Sequence, residues 1–228
     1  LWNNMSSHRL ISLMLSDTMK RLIIITTSIL MGIGLCSYKS IKEKEPLTIF
    51  HINGDICFTD KYDKDADICV PAAYTTKEGA IQGEYRINGV TKGTQSRKER
   101  VSIHPVKGLV ISGQWHSDNG FQQHVLVKNG KVRKFKDKRK RFRRALCVDN
   151  SGSLLIIESN RKITLIEFAE MLSVHCKSAV NLDMGCYGFG RYGGRIHSGW
   201  AFYNRHKQTS WICSKPAGQS KQRIKESP

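Results

Sequence analysis

Short apolar runs rich in β-branched residues recur along this chain, and this pattern most constrains its fold. Such runs, when Gly, Asn and Asp separate them, are typical of β-strands joined by tight turns. Asn88-Gly89, Asn129-Gly130 and Asp149–Gly152 supply the turn residues of hairpins. The pattern predicts strands at Leu47–Ile52, Ala66–Val70, Ile81–Ile87, Leu109–Ser112, His124–Val127, Ala145–Val148 and Leu154–Glu158.

One helix is signalled within this strand pattern. Thr164 and Glu167 fit a capping box, in which the two side chains and the two backbone N–H groups bond reciprocally. Apolar residues recur at helical spacing from Leu165 to Cys176, and a buried-strand pattern follows at Ala179–Asp183. Residues 154–183 are therefore predicted to be a strand, a helix and a strand, an arrangement that usually makes a right-handed parallel crossover. The expected fold class is α+β: a mixed, strand-rich sheet with few helices and one clear crossover.

The N-terminal residues have the form of an export signal. Basic Met19–Arg21 precedes the apolar stretch Leu22–Cys36, which contains Thr and Ser and is shorter than the ~20 residues of a membrane-spanning helix. A cleaved secretory signal is the favoured interpretation, and an uncleaved anchor is the alternative. Cys36 stands where a bacterial lipoprotein carries its lipid, but Leu35 is larger than the residue usual before such a cysteine. We expect an exported protein of the periplasm or cell envelope, with lipid anchoring at Cys36 left open.

The sequence divides into four parts. We expect an upstream extension and signal peptide in residues 1–36, a polar linker in 37–46, one folded domain in 47–214 and a polar tail in 215–228. Hydrophobic residues make up 39% of the chain, which is enough for a core. We expect this domain to be a monomer.

The chain is strongly basic, with 37 Lys and Arg against 19 Asp and Glu and a net charge of +18. A surplus of this size indicates a polyanionic neighbour, such as a phosphate-rich glycan, an acidic membrane surface or nucleic acid. More than half of it lies in Lys128–Arg144, where eleven residues are Lys or Arg and Asp137 is the only acid. This segment is either a solvated basic hairpin or a surface for polyanions. Nucleic acid is disfavoured because only Phe135 and Phe142 interrupt the cations with aromatic rings that bases could stack on.

The seven cysteines show neither a CxxC motif nor the spacing of a zinc site. Cys147, Cys176 and Cys213 lie among apolar neighbours and are interpreted as buried thiols. A disulfide between Cys57 and Cys69 across a short loop is an alternative that export would permit. No metal site and no cofactor are expected.

Three segments carry residue types suited to chemistry. In Asn181–Gly190, Asp183 ends a strand and runs into a glycine-rich loop whose free N–H groups could hold an anion; a tight turn capped by Asp183 is the alternative. Arg143 and Arg144 lead into a buried strand and could present a planar donor fork to a phosphate, although they also end the basic run. Trp115–His124 contains two histidines suited to proton transfer, His116 and His124, and two glutamines suited to sugar hydroxyls, Gln122 and Gln123.

With these segments placed in order, the chain resembles the phosphodiester glycosidase domain family, a domain also found in the mammalian uncovering enzyme. Arg143–Cys147 is similar to the family's Arg-Thr-Ala-Ile-Gly strand, and Thr164–Ala169 to its Thr-Leu-x-Glu-Leu-Ala helix. Asn181–Tyr187 is similar to its Asn-Leu-Asp-Gly-Gly-Gly-Ser loop. The resemblance runs over roughly 50–190, and Phe121–Gly130 and Ile81–Gly89 match two earlier segments.

The sequence also departs from the family pattern. The family's early Asn-Ala/Gly-Gly-Phe motif falls on Pro71–Tyr74, where the Asn is missing. The triple glycine has become Met184-Gly185-Cys186, and the serine after it has become Tyr187. These changes leave a divergent or inactive copy open beside an active hydrolase.

The resemblance implies hydrolysis of a sugar phosphodiester or a related glycosidic bond, with a carbohydrate or sugar phosphate as substrate. It implies that Arg143 holds the phosphate and that Asp183 acts at the reacting carbon or orients a base. Asn181, Gln122, Gln123, Gly185 and Arg144 are the expected substrate-binding residues, and His116 is a further candidate for proton transfer. The alternative is a non-catalytic envelope protein that binds anionic glycan or lipid headgroups through residues 128–144.

Overall fold

A computed structural model describes residues 45–76, 78–96, 98–104, 108–184, 189–197 and 210–215. These residues hold one helix, α1 (Leu165–His175), and seventeen short strands. In chain order the strands are β1 (Leu47–His51), β2 (Asp55–Thr59), β3 (Ile68–Pro71), β4 (Tyr74–Thr75), β5 (Ile81–Ile87), β6 (Val90–Thr94), β7 (Glu99–His104), β8 (Gly108–Ser112), β9 (Gly120–Gln123), β10 (Val125–Lys128), β11 (Lys131–Val132), β12 (Arg144–Val148), β13 (Leu154–Ser159), β14 (Ser178–Leu182), β15 (Gly190–Tyr192), β16 (Arg195–His197) and β17 (Trp211–Lys215).

The predicted turns and helix start are present. Asn88 and Asn129 adopt positive φ angles of 48° and 51°, and a glycine with positive φ follows each, as a tight hairpin turn requires. Thr164 is the N-cap of α1: its hydroxyl accepts from the Glu167 N–H at 3.2 Å, and the Glu167 carboxylate accepts from the Thr164 N–H at 2.7 Å. The capping box therefore sets the start of the helix, as predicted.

The first sheet has the strand order β1-β13-β12-β14-β10-β11, and every neighbouring pair is antiparallel. Strand β12 lies between β13 and β14, with Leu146 opposite Ile156 on one side and Val180 on the other. The crossover strands β13 and β14 thus run in the same direction, but they are not neighbours. The described sheets are antiparallel rather than mixed, and the domain is largely β with one described helix.

The first sheet separates two cores. Leu146 and Val180 face a central core that also takes residues from a second sheet (β16-β15-β3-β17-β2) and a third (β4-β5-β9-β7-β8, with β6 on β5). Ala145 and Ala179 face the opposite way and pack against α1. Because side chains alternate along a strand, consecutive residues of β12 serve different faces.

The cysteines are only partly as predicted. Cys147 and Cys176 are buried thiols, but the interpretation of Cys213 as a free thiol is wrong, because it forms a disulfide with Cys69. The two residues are opposite each other in the second sheet, on β17 and β3. Cys57 is a free thiol on the other neighbour of β17. Within the described part of the chain, no helix has the length and apolar character needed to cross a membrane.

Candidate functional site

Asp183 lies directly after β14 and is buried. Its backbone N–H donates to the Ala72 carbonyl at 2.9 Å, and its Oδ2 accepts from the Thr75 N–H at 3.1 Å. Asp183 is therefore held against residues 72–75, which overlap the family motif at Pro71–Tyr74 that has lost its Asn. These bonds fix the position of Asp183, and they also fix Tyr74, which lies in the chain between Ala72 and Thr75.

Tyr74 and Asn181 form a hydrogen-bonded pair beside this carboxylate. The Asn181 Nδ2 donates to the Tyr74 hydroxyl at 2.6 Å and to the Leu182 carbonyl at 3.0 Å. The Asn181 Oδ1 is buried and accepts no hydrogen bond from any described residue. Burial, and next the negative charge of Asp183, raise the pKa of Tyr74. Tyr74 consequently remains a neutral hydroxyl at neutral pH and can both donate and accept.

Arg143 precedes β12, and its side chain is buried on the α1 face of the first sheet. Its Nε donates to the Ile163 carbonyl at 3.3 Å and its Nη2 to the Arg139 carbonyl at 2.8 Å. No described residue accepts from Nη1, so this nitrogen is the part of the fork that is left for a ligand. Burial lowers the pKa of Arg143, but an arginine stays protonated at any working pH.

The structure relates Arg143 and Asp183 through Tyr74. The carboxylate of Asp183 raises the pKa of the Tyr74 hydroxyl, whereas the positive charge of Arg143 lowers it. Lys98 adds a second cation, with its Nζ 4.8 Å from the centroid of the Tyr74 ring. Burial lowers the pKa of Lys98, and the charge of Asp183 opposes that change. Charges of both signs therefore act on the neutral Tyr74 side chain.

Tyr74 lines a cavity of about 250 Å³. Tyr74, His124, Phe135 and Leu165 give it an aromatic and apolar side, and the remaining lining residues are Lys136, Asp137, Arg139, Arg141 and Arg143. The volume lies just below the about 300–1,000 Å³ of typical small-molecule sites. The cavity suits a compact, negatively charged part of a ligand. A larger depression of about 470 Å³ beside β5 and β6 contains none of the residues predicted for chemistry.

The two arginines have different surroundings. Arg143 lines the cavity, whereas Arg144 is fully buried in an ion pair with Glu158, with 2.5 Å between Nε and Oε1. Its Nη1 also donates to the Asp183 carbonyl at 3.3 Å, and the Tyr192 hydroxyl donates to the same Glu158 oxygen. Arg144 thus supports the backbone at Asp183 from the core side of the sheet and does not line the cavity.

The predicted glutamines are buried in the third sheet. The Gln122 Oε1 accepts from the Glu84 and Ser96 N–H groups, and its Nε2 donates to the Ser96 and Lys98 carbonyls. The hydrogen-bonding groups of the Gln122 amide are therefore occupied, and they hold in place the segment that carries Lys98. The Gln123 Oε1 accepts from the His124 N–H, and its buried Nε2 has no partner among the described residues.

Of the predicted site residues that the structure describes, Arg143 alone lines the cavity. His116 lies in the loop between β8 and β9, where its Nε2 is 2.8 Å from the Ser112 hydroxyl. Gly185 lies outside the described residues. The roles suggested for both residues stay predictions.

Sequence reasoning missed Tyr74 and Lys98 as site residues, and it noted His124 beside His116 without assigning it a role. Tyr74 had a usable signal, because it stands where the family motif has Phe and so adds a hydroxyl. His124 is the last residue of Trp115–His124, a segment in which the sequence predicted site residues. Burial, together with nearby Lys98, lowers its pKa, so that it is neutral at pH 7. Lys98 had no signal, since it lies in a polar stretch among other basic residues.

This chain is similar to one protein family model and to the solved structures named here. The family model described as phosphodiester glycosidase matches residues 47–185. The catalytic domain of zebrafish N-acetylglucosamine-1-phosphodiester alpha-N-acetylglucosaminidase, auto-inhibited by its pro-peptide, is similar with a TM-score of 0.52 and 13% identity, over 75% of this chain and 73% of that one. A hypothetical protein from Synechocystis gives a TM-score of 0.45 and 11% identity, over 75% and 57% of the two chains. No curated protein sequence matches.

Proposed function

Because the chain belongs to the phosphodiester glycosidase family, we propose that it is a hydrolase that cleaves the bond between a sugar and a phosphodiester, or a related glycosidic bond. The resemblance found in the sequence is confirmed by the family match over residues 47–185. One observation carries the step from family to activity. The Asp183 carboxylate accepts from the N–H of Thr75, the residue after Tyr74, and Tyr74 and Arg143 line the same cavity.

In this proposal Arg143 holds the phosphate through Nη1. The two carbonyls that bind its other nitrogens fix the guanidinium, so little conformational entropy is lost when the anion arrives. A guanidinium–phosphate hydrogen bond is charge-assisted and is stronger than a neutral one. The phosphate thereby sets the position of the attached sugar.

Asp183 is the proposed carboxylate at the reacting carbon. Glycoside hydrolysis passes through a cationic, oxocarbenium-like transition state, which a nearby carboxylate stabilises or attacks. The Thr75 N–H holds the Asp183 carboxylate in one orientation. Asn181 offers a sugar hydroxyl its Oδ1, which has no partner among the described residues, and the neutral Tyr74 hydroxyl is positioned by the Asn181 amide.

Export is part of the proposal. The predicted signal, Met19–Cys36, directs the chain to the periplasm or cell envelope, and the Cys69–Cys213 disulfide supports an oxidising compartment. Mass spectrometry of the mature N-terminus tests it. A chain that begins after the apolar stretch, with or without lipid on Cys36, supports export, and a full-length N-terminus in the cytoplasmic fraction contradicts it.

The activity is tested with an aryl- or nucleotide-linked sugar phosphodiester. We expect Asp183→Asn to lower kcat/KM by about 10²–10⁴-fold, the usual contribution of a positioned acid, base or nucleophile. Asp118→Asn, which changes an exposed carboxylate in a surface ion pair with Arg86, is the matched control and should retain activity.

Circular dichroism of both variants separates a chemical defect from a folding defect. Equal background release by the wild type and by Asp183→Asn would contradict the enzyme proposal. That result would favour the alternative, a non-catalytic protein that binds polyanionic glycan or lipid headgroups through residues 128–144.

A further inference from the structure

We propose that the cavity-lining cations Lys136, Arg139 and Arg141 of residues 133–141, a segment here called the basic wall, form a second anion subsite beside Arg143 and select substrates with two adjacent phosphate groups. This inference rests on the proposed function, since it assigns the substrate class of the same site. The starting observation is the position of the basic segment 128–144, which the sequence indicated as a candidate surface for polyanions. In the structure, part of this run lines the cavity next to Tyr74 and Arg143.

The basic wall is fixed along its length although it contains neither helix nor strand. At its start the Arg133 N–H donates to the Leu126 carbonyl at 2.9 Å, and Arg133 Nη2 pairs with the Glu99 carboxylate at 3.3 Å. In its middle Phe135 packs against the core beneath α1. At its end Arg141 and Ile163 exchange two backbone hydrogen bonds of 3.0 and 2.9 Å. A basic segment that was only solvated would not need these attachments.

Arg143 connects the basic wall to the proposed phosphate site. Its Nη2 donates to the Arg139 carbonyl, and its Nε to the carbonyl of Ile163, the residue that pairs with Arg141. The same guanidinium therefore holds the wall in place and lines the cavity. An anion on Arg143 Nη1 lies next to the wall rather than apart from it.

Most of the cations that line the cavity have no acidic partner among the described residues. Of the four cations that line the cavity, Arg139 forms an ion pair with Asp137, at 2.8 Å between Nε and Oδ1. No described acidic side chain pairs with the other three, which are Lys136, Arg141 and Arg143. One phosphodiester carries a single negative charge, and a diphosphate linkage carries two. Three cations that no described acid neutralises, around about 250 Å³, are thus suited to the larger charge.

The shared chemistry is two or more phosphates in a row, as in a diphosphate-linked sugar or in a polymer of repeated phosphates. Titration calorimetry with inorganic phosphate, pyrophosphate and tripolyphosphate measures this preference without turnover. We expect pyrophosphate to bind the wild-type chain at least about tenfold more tightly than phosphate, because it gains further charge-assisted hydrogen bonds. A further rise with tripolyphosphate identifies a polymer, and a plateau at pyrophosphate identifies a diphosphate.

The test variant is Lys136→Ala/Arg141→Ala, and the matched control is Lys138→Ala/Lys140→Ala. Both remove two exposed cations from the same segment, but the control pair does not line the cavity. We expect the test variant to lose most of the preference for pyrophosphate while it still binds phosphate, and the control to keep the preference.

Equal affinities for phosphate and pyrophosphate in the wild type, or equal losses in both variants, would overturn the subsite. Hydrolysis of the sugar phosphodiester is measured on the same samples. Hydrolysis without a pyrophosphate preference contradicts the subsite alone, whereas a preference without any hydrolysis contradicts the proposed function.

Discussion

The replacement of Arg144 by leucine tests how the domain supports its site from the core side. The Arg144 side chain is fully buried, and its partner Glu158 is 13% exposed. After Arg144→Leu, the Glu158 carboxylate keeps the Tyr192 hydroxyl as its partner but loses its counter-charge. Removal of one member of a buried ion pair costs about 3–5 kcal/mol.

This loss is large for a domain of this size. Total unfolding free energies are about 5–15 kcal/mol, and 1 kcal/mol changes Tm by about 2–4 °C in a domain of about 150–250 residues. We therefore expect Arg144→Leu to lower Tm by about 6–20 °C. Urea unfolding followed by circular dichroism measures the free energy, and calorimetry measures Tm.

Two further variants show whether the ion pair is the cause. Arg144→Leu/Glu158→Leu removes both charges and should recover most of the loss, because replacement of a whole buried pair by apolar residues is often neutral. Arg141→Leu removes an exposed arginine three residues away and should change stability by no more than about 0.5 kcal/mol. The reasoning is refuted if Arg144→Leu costs less than about 1 kcal/mol, or if the double variant is no more stable than the single one.

Two other predictions concern the disulfide and the pH dependence of stability. Cys69→Ser/Cys213→Ser opens a disulfide between residues 144 apart and should lower the unfolding free energy by about 2–5 kcal/mol; unchanged urea midpoints in this variant and in reduced wild type would contradict it. Burial, and next the charge of Lys98, lower the pKa of His124, so the unfolded chain binds its proton more readily than the folded chain does. The contribution of His124 to the unfolding free energy should therefore fall as pH drops below about 6.5. Between about pH 7.5 and 5.5, the unfolding free energy of His124→Gln should change less with pH than that of the wild type. A stronger pH dependence in this variant would contradict the predicted direction of the effect.

Local signals in the sequence predicted the local structure. Thr164 and Glu167 marked the helix start because a capping box involves only neighbouring residues. Asn129-Gly130 marked a hairpin turn because both residues tolerate positive φ. The insertion of β12 between β13 and β14 had no such signal, since it depends on pairings such as that of Leu146 with Val180. The Cys69–Cys213 pairing is equally non-local.

The candidate site likewise contains residues that the sequence predicted and residues that only the tertiary fold brings in. Arg143 and Asp183 were identified from their residue types and positions and from the family resemblance, whereas Lys98 reaches Tyr74 only through the tertiary fold. Alternation in β12 and in the residue before it could have separated the two arginines from sequence alone, because consecutive residues of an extended chain face opposite sides of a sheet. That rule assigns Arg144 to the side opposite Arg143, as the structure has it.

The central claim is that Arg143 and Asp183 act on one substrate in one site, and a double-mutant cycle on kcat/KM tests it most directly. Residues that act on the same transition state have strongly non-additive effects. We predict that Arg143→Gln/Asp183→Asn hydrolyses the sugar phosphodiester no more slowly than the slower of its two single variants. Losses that multiply in the double variant would mean that the two side chains act independently, and would contradict the account.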